Sequence, residues 1–591
     1  MKIQYLLLSN FILTLGFCLD SPAFADDTKE SWVIKSPIST DNLPPNNSSQ
    51  VLFSQENTTP QSPTPENSIE IETNKPVEYT LTPLQLKPLS PMTVETANVL
   101  PKGALYTSYG VNLFSKGSEG GGIGLQTYDA SIDYGISDKW QIGVGLSFFD
   151  DTLGSRFNGK PTDFGFLSFA PNFKYQFINE PTYNVAVVGS LEFIKVTGEN
   201  GLFTPTDRSD SGTTLGGTIQ VPFTYNFGNT YQWHIVGGLA ILPDTVNGGG
   251  DFYGTFFNIG TGLSFKFDDR IGFFADINVP LGPGGNSVNT RGDITKSVVW
   301  SAGLNYLHSP NVGIDLSITN RLGSTPATKL LSFLPDGGPV GVGLNVRYTP
   351  DIGQNYQRSF DSRPIEPFSH RDKQLLFDGI ILSSPNTIKQ GMFFLDGGIG
   401  PSVNFEVGYG MSDNAQLGFI GQQLGDTDEP IGNSLKLGGS TKLRFMNQSQ
   451  GDLFSFGLRG AFQEATGSDD GVGAFTAEAS FAYEINENIA LMFNPKAGLY
   501  GGNRILGAGL GFNLQPFAGF QIIGEVTPML SNDATVWAAG ARYLLPKTDV
   551  GVGVYTTNAV GTGDIGSVIT QSDSNVSVGV NIMWLFGNNN N

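Results

Sequence analysis

From Val576 to Phe586, the apolar residues Val576, Val578, Val580, Ile582, Trp584 and Phe586 take every second position. Ser577, Gly579, Asn581, Met583 and Leu585 lie between them. Side chains of an extended strand point alternately to opposite faces. The stretch therefore predicts a strand with one unbroken apolar face, ended by two aromatics, and a second face that is largely small or polar. Strand-length runs with this period recur roughly two dozen times after Leu100, with no helical layer to cover them. Such strands suit a barrel wall that meets lipid outside and a watery lumen inside.

The connections between runs fall into two kinds. Some are tight and polar, such as Ser137-Asp138-Lys139, Asn179-Glu180-Pro181, Ser412-Asp413-Asn414 and Asn486-Glu487-Asn488. Others are long and rich in Gly and Asp, at 150–163, 197–212, 243–252, 282–295, 323–338, 425–433, 464–473 and 561–574. Short connections at one end and long ones at the other predict periplasmic turns and external loops.

The runs form two sets of about 12 strands each, in 100–349 and in 389–591. The sets repeat each other in order. Val299-Trp300-Ser301-Ala302-Gly303 matches Val536-Trp537-Ala538-Ala539-Gly540, and Asn311-Val312-Gly313-Ile314 matches Asp549-Val550-Gly551-Val552. Tyr134-Gly135-Ile136-Ser137-Asp138 likewise matches Tyr409-Gly410-Met411-Ser412-Asp413. The fold class is thus all-β: a transmembrane antiparallel β-barrel built from two tandem repeats. Two separate barrels and one fused barrel of about 24 strands both fit. Separate barrels are preferred, because each repeat carries its own closing strand and 350–388 is long for a turn within one barrel. That polar segment is expected to be a periplasmic linker.

The N-terminus predicts a signal peptide, with Lys2, an apolar run from Ile3 to Cys18, and Ala23-Phe24-Ala25 setting cleavage after Ala25. Cys18 is the only cysteine, so the processed chain has no thiol for disulfide or nucleophilic chemistry. Residues 26–99 are rich in Pro, Ser, Asn and Thr and predict a disordered periplasmic spacer. There are 54 acids against 33 bases, a net charge of -21, which argues against nucleic acid as a partner.

Alternation also selects lumen-facing charges. In the first repeat these are Asp129, Asp133, Glu192, Asp276 and Asp315, with Lys174, Lys266 and Arg347. In the second they are Lys436, Lys442, Arg444, Arg459 and Arg542, with Glu406, Glu478, Glu484 and Glu525. Rings of one sign would set ion preference, whereas charges paired across neighbouring strands would merely solvate a narrow interior. His234, His308 and His370 are the only histidines, and none has a sequence-placed nucleophile beside it. No catalytic residue, cofactor or metal site is therefore expected. The Asp-rich loops lack the ligand spacing of a calcium loop.

The aromatic-ended strand from Val576 to Phe586 resembles the C-terminal assembly signal of Gram-negative outer-membrane β-barrels. With the signal peptide, the Pro-rich spacer and the acidic barrel, the chain is similar to cyanobacterial outer-membrane proteins of the porin-like kind. Glu95-Thr96-Ala97-Asn98-Val99 also resembles an energy-coupling box, but no large plug domain stands between it and the first strand. The porin-like resemblance implies an outer-membrane channel for passive diffusion of small hydrophilic solutes or ions. The alternative is a non-conducting structural or adhesive barrel that works through its loops. Implied partners are outer-membrane lipid, lipopolysaccharide and the barrel-assembly machinery, with peptidoglycan or a periplasmic protein as partners for the spacer.

Overall fold

The computed structural model describes residues 79–114, 125–246, 248–360, 370–429, 431–432, 434–466, 472–501, 503–531, 534–572 and 575–587. Signal cleavage at Ala25, most of the expected spacer and the loop at 467–471 lie outside the described residues. Two closed antiparallel barrels of twelve strands each follow one another along the chain. In each, every strand pairs with its sequence neighbours, and the ring closes between the first and last strands. Leu105–Phe114 pairs with Gly341–Tyr348 from Thr107↔Tyr348 to Phe114↔Gly341. Phe393–Ile399 pairs with Ser577–Phe586 from Phe393↔Phe586 to Ile399↔Val580. This pairing decides for two barrels over a fused one. The closing strand begins at Ser577, one residue later than the alternation suggested.

The repeats match strand by strand. Val299–Ser309 and Thr535–Leu544 are the tenth strands, and Val312–Thr319 and Val550–Thr557 the eleventh. The apolar alternates point outward. Ile259 and Leu263 are each 56% exposed and Val578 is 70% exposed, against 0% for the inward Glu192 and His234. Aromatic pairs gather at the short-turn rim, among them Trp140 with Tyr175 (ring centroids 4.5 Å), Tyr231 with Phe265 (4.6 Å) and Trp584 with Phe586 (4.7 Å).

Part of the outer wall is covered by the other barrel. Val312, Leu344, Val346 and Tyr348 of the first barrel form one buried apolar cluster with Met411, Ala415, Leu443, Phe475 and Ala477 of the second. The Tyr128 ring lies 5.1 Å from that of Phe462. At the short-turn rim, the His308 ring nitrogen Nε2 bonds the Asn414 carbonyl (2.9 Å), and the Asn311 amide donates to the Met411 carbonyl (3.1 Å).

Two expected boundaries are corrected. The last part of the expected spacer, from Tyr79 on, is folded: Val94, Thr96 and Ala97 are fully buried. The expected linker likewise does not stay outside, since Ile381, Leu382 and Thr387 are buried to the same degree. Both segments run into the mouth of the barrel that follows them. Inside, the barrel wall supplies the partners their backbone needs, and apolar residues such as Ile381, Leu382, Phe377 and Ile388 join buried clusters.

Ring closure is testable by cross-linking. Leu113→Cys with Val342→Cys, directly opposed in the closing pair, is expected to oxidise to a disulfide. Val342→Cys with Ile399→Cys should stay reduced, and cross-linking of that second pair instead would overturn the two-ring topology.

Candidate functional site: the two filled lumens

Each lumen is filled from both ends by the same two devices. From the short-turn end enters a lead segment, residues 79–104 in the first barrel and 370–392 in the second. From the long-loop end, the connection between the eleventh and twelfth strands folds inward.

The inward fold of that connection is set by a repeated side-chain device. Asn320 Oδ1 accepts the Trp300 N–H (2.9 Å) and its amide donates to the Val298 carbonyl (2.9 Å). Asn558 does the same with the Trp537 N–H (2.8 Å) and the Thr535 carbonyl (2.9 Å). These bonds satisfy strand-end backbone groups and turn the chain over the lumen. There it forms the short 3-10 turns Thr328–Leu330 and Asp564–Val568.

In the first barrel, Glu95 of the lead segment joins wall to loop. Its carboxylate pairs with Lys174 on the wall (3.0 Å) and with Lys329 on the inward loop. Burial alone would raise the Glu95 pKa, but the two ammonium groups hold it down to about 2. Arg321 at the base of the loop pairs with Asp129 (3.3 Å) and donates to the Met92 carbonyl (3.0 Å). Glu192 accepts the Ala327 N–H of the loop (2.7 Å) and the Ser168 hydroxyl (2.6 Å). Asp276 accepts the N–H groups of Met92 and Thr93, at 3.1 Å each, and the Ser301 hydroxyl at 2.8 Å. The Leu100 N–H donates to Gln141 (3.1 Å) and the Ala97 N–H to Thr224 (3.0 Å).

The remaining predicted residues sit apart from the segment. Asp133 accepts from Gln141 (3.1 Å), and Asp315 pairs with Arg347 (2.7 Å). Lys266 pairs with Asp269 (3.1 Å) with its side chain 42% exposed. It stands at the short-turn rim, in the lining of the cavity at that mouth. His234 lies between Thr224 (3.1 Å) and Ser264 (3.1 Å). Between Leu81–Met92 and the wall, a cavity of about 410 Å³ opens at the short-turn mouth.

The second barrel uses different residues for the same closure. Arg459 is the junction: it pairs with Glu406 on the wall (3.0 Å), Asp564 on the inward loop (3.1 Å) and Asp378 on the lead segment (3.5 Å). Lys442 also pairs with Asp378 (2.6 Å), and Arg542 donates to the Asp378 carbonyl (2.7 Å). Glu478 stands opposite Arg459 in the strand register. It nevertheless accepts the Ser383 N–H (2.9 Å) and hydroxyl (2.7 Å) and lies 3.6 Å from Lys496. Lys496 donates to the Ile381 carbonyl and to Ser567 (3.1 Å), so it too ties segment to loop.

Glu525 accepts the N–H groups of Ile380 (3.0 Å) and Ile381 (2.6 Å). A Cβ at Gly379 would run into the Glu525 carboxylate, so a side chain there would push that carboxylate off the two N–H groups. Lys436 donates to the Ile431 carbonyl (2.9 Å), and Arg444 to the Asp413 carbonyl (2.8 Å) at the short-turn rim. The space left among Asp378, Glu406, Arg459 and Asp564 is about 50 Å³.

Of the two arrangements the alternation leaves open, paired charges in a filled interior fit these contacts better than like-charge rings. The wall charges of both barrels pair mainly with groups brought in by segment and loop, and Lys329, Arg321, Asp378 and Asp564 were not predicted. No strand period marks them, because they lie between strands. Above the charged layer, each long-loop mouth is capped by apolar residues. Phe149, Phe164, Phe203, Leu331 and Phe333 belong to one cluster, and Leu424, Ile431, Val560, Ile565 and Ile569 to the other.

No protein-family model matches the chain, and no curated protein matches it. Among solved structures, the chain is similar to the KdgM porin at 7% identity, over 41% of this chain and 98% of that one, with a TM-score of 0.25. It is similar to the NanC porin at 10%, over 42% and 99%, TM-score 0.26. It is also similar to an outer membrane channel from Pseudomonas putida F1 at 14%, over 43% and 97%, TM-score 0.28. The fold stands on this chain's own strand pairing.

Glu95→Gln would leave two buried ammonium groups without their carboxylate, a loss of about 3–5 kcal/mol for a broken buried pair. Faster hydrogen exchange at residues 92–100 is the expected readout. A depressed carboxylate stabilises the seated form above its unfolded pKa and stops doing so as pH falls through the folded one. Exchange protection of that segment, corrected for intrinsic rate, should hold from neutral pH to about 5 and decline between about 4 and 2.

Proposed function

We propose that this is an outer-membrane protein whose two barrels are porin-like channels for small hydrophilic solutes or ions, shut in this state by their lead segments and inward loops. Support for the membrane comes from the outward rows of exposed aliphatic residues and the aromatic band at the short-turn rim, features that soluble barrels have no reason to keep.

One observation carries the channel reading: the filling of each lumen is not wall. Interiors of eight-stranded barrels are just filled by their own side chains, and wider barrels leave space. Here that space is taken by a strap of chain seated mostly through polar contacts on a polar wall. Its withdrawal would uncover Gln141, Lys174, Gln176, Thr224 and Asp276 in the first barrel. Such a lining suits water and hydrophilic solutes.

Planar-bilayer recording tests this. The full-length protein is expected to be mostly silent, while a variant that combines a lead-segment deletion (residues 88–98) with replacement of the inward loop 322–336 by a short turn should show stable conductance steps. A well-folded deletion variant that stays silent would overturn the channel and favour a non-conducting scaffold.

A further inference from the structure

We propose that Asp276 and Glu525 are latches, one per barrel, that hold the lead segments shut by gripping their backbone. Both lie on the ninth strand, Ile271–Leu281 in the first barrel and Phe520–Pro528 in the second. Both are nearly inaccessible, at 2% and 5% exposed. Each accepts two consecutive backbone N–H groups, Met92 and Thr93 in one case and Ile380 and Ile381 in the other.

The gripped positions are equivalent. Counted back from Gly103 and Gly391, which share a φ of 79°, Met92 falls on Ile380 and Thr93 on Ile381. The same count places Leu100 on Ile388, and their N–H groups donate to Gln141 (3.1 Å) and Gln416 (3.3 Å) of the two third strands. It also places Val94 on Leu382, each against an eighth-strand glycine. A Cβ at Gly260 would come within 2.9 Å of Val94, and one at Gly509 within 2.4 Å of Leu382.

The side chains of the two segments otherwise differ: Thr93-Val94-Glu95-Thr96 against Ile381-Leu382-Ser383-Ser384. Glu95 makes the ion pairs of the first, whereas Ser383 at the same position accepts no cation. The Thr93 hydroxyl also donates to Asp276, a bond Ile381 cannot make, but the two N–H groups ask nothing of the segment's side chains, so that part of the grip survives their divergence. Charge-assisted bonds of this kind are about twice as strong as neutral ones. An amide in place of the carboxylate loses the charge and presents a donor where an acceptor is required.

The effect on current rests on the channel reading; the seating of the segment does not. The processed chain has no cysteine, so Val94→Cys and Leu382→Cys, tested one at a time in the full-length protein, report each segment's burial by their rate of modification with a polar maleimide. Asp276→Asn is expected to speed modification at position 94 by about ten- to a hundredfold and leave position 382 unchanged; Glu525→Gln should do the reverse. Glu525→Asp should keep modification at position 382 slow, since the first repeat already works with the shorter acid. Thr93→Pro removes the N–H and hydroxyl donors of Thr93 without touching the wall, and should speed position 94 even if Asp276→Asn fails to fold; Thr93→Val, which removes only the hydroxyl, should have the smaller effect.

Equal acceleration at both positions, or none, would overturn the latch. If the combined deletion variant conducts while Asp276→Asn leaves modification slow, the latch fails and the channel stands. If modification responds as expected and the combined deletion variant stays silent, the channel fails and the latch stands.

Discussion

Everything in this molecule follows from the width of a twelve-stranded ring. Hydrogen bonding around the circle satisfies the backbone of the wall and leaves no edge, but it also fixes a bore that side chains from the wall alone do not fill. Polar groups lining an unfilled bore would need water, and groups sealed from water need partners. The chain meets this constraint with its own connecting segments, so that wall carboxylates and ammonium groups find partners that enter from either end. The charge clusters around Glu95 and Arg459 are two solutions to one geometric problem.

The two solutions are opposite in sign. In the first barrel an anion on the strap lies between cations of wall and loop; in the second a cation on the wall lies among anions of wall, loop and strap. Each joins the same three parts. The backbone-directed contacts on the third and ninth strands have kept their chemistry while these side-chain pairs were rebuilt. Contacts to the peptide group constrain one partner only, whereas an ion pair changes safely only when both partners change together.

The wall was legible from its alternation, because a strand between two media has no other way to arrange its side chains. Strand number per repeat, the order of the repeats and the inward position of Asp129, Glu192, Lys174 and Arg459 all come from that one period. The filling was not legible. Residues 79–99 read as the end of a disordered spacer because the whole of 26–99 is rich in Pro, Ser, Asn and Thr, which hides the local run from Leu81 to Val99 with its six Leu and Val residues. Its stability comes from Asp276, Gln141 and Thr224, which the segment does not contain. The stretch 350–388 reads as a linker because its first half is polar and mixed in charge, although Leu375, Leu376, Phe377, Ile380, Ile381 and Leu382 follow; Lys329 and Asp564 read as loop residues, which they are in sequence though not in space.

The seam between the barrels has a consequence for their origin. The first barrel contributes the region around its ring closure, with His308, Val312, Val346 and Tyr348, while the second contributes Met411, Ala415, Leu443 and Phe475 from its second to sixth strands. Unlike patches meet, so the contact is heterologous and carries no two-fold axis. A gene fusion that merely tied together a symmetric dimer would have preserved like patches facing each other. The duplicated copies instead meet through different strands, so the surface one presents to its twin is not the surface the twin presents back.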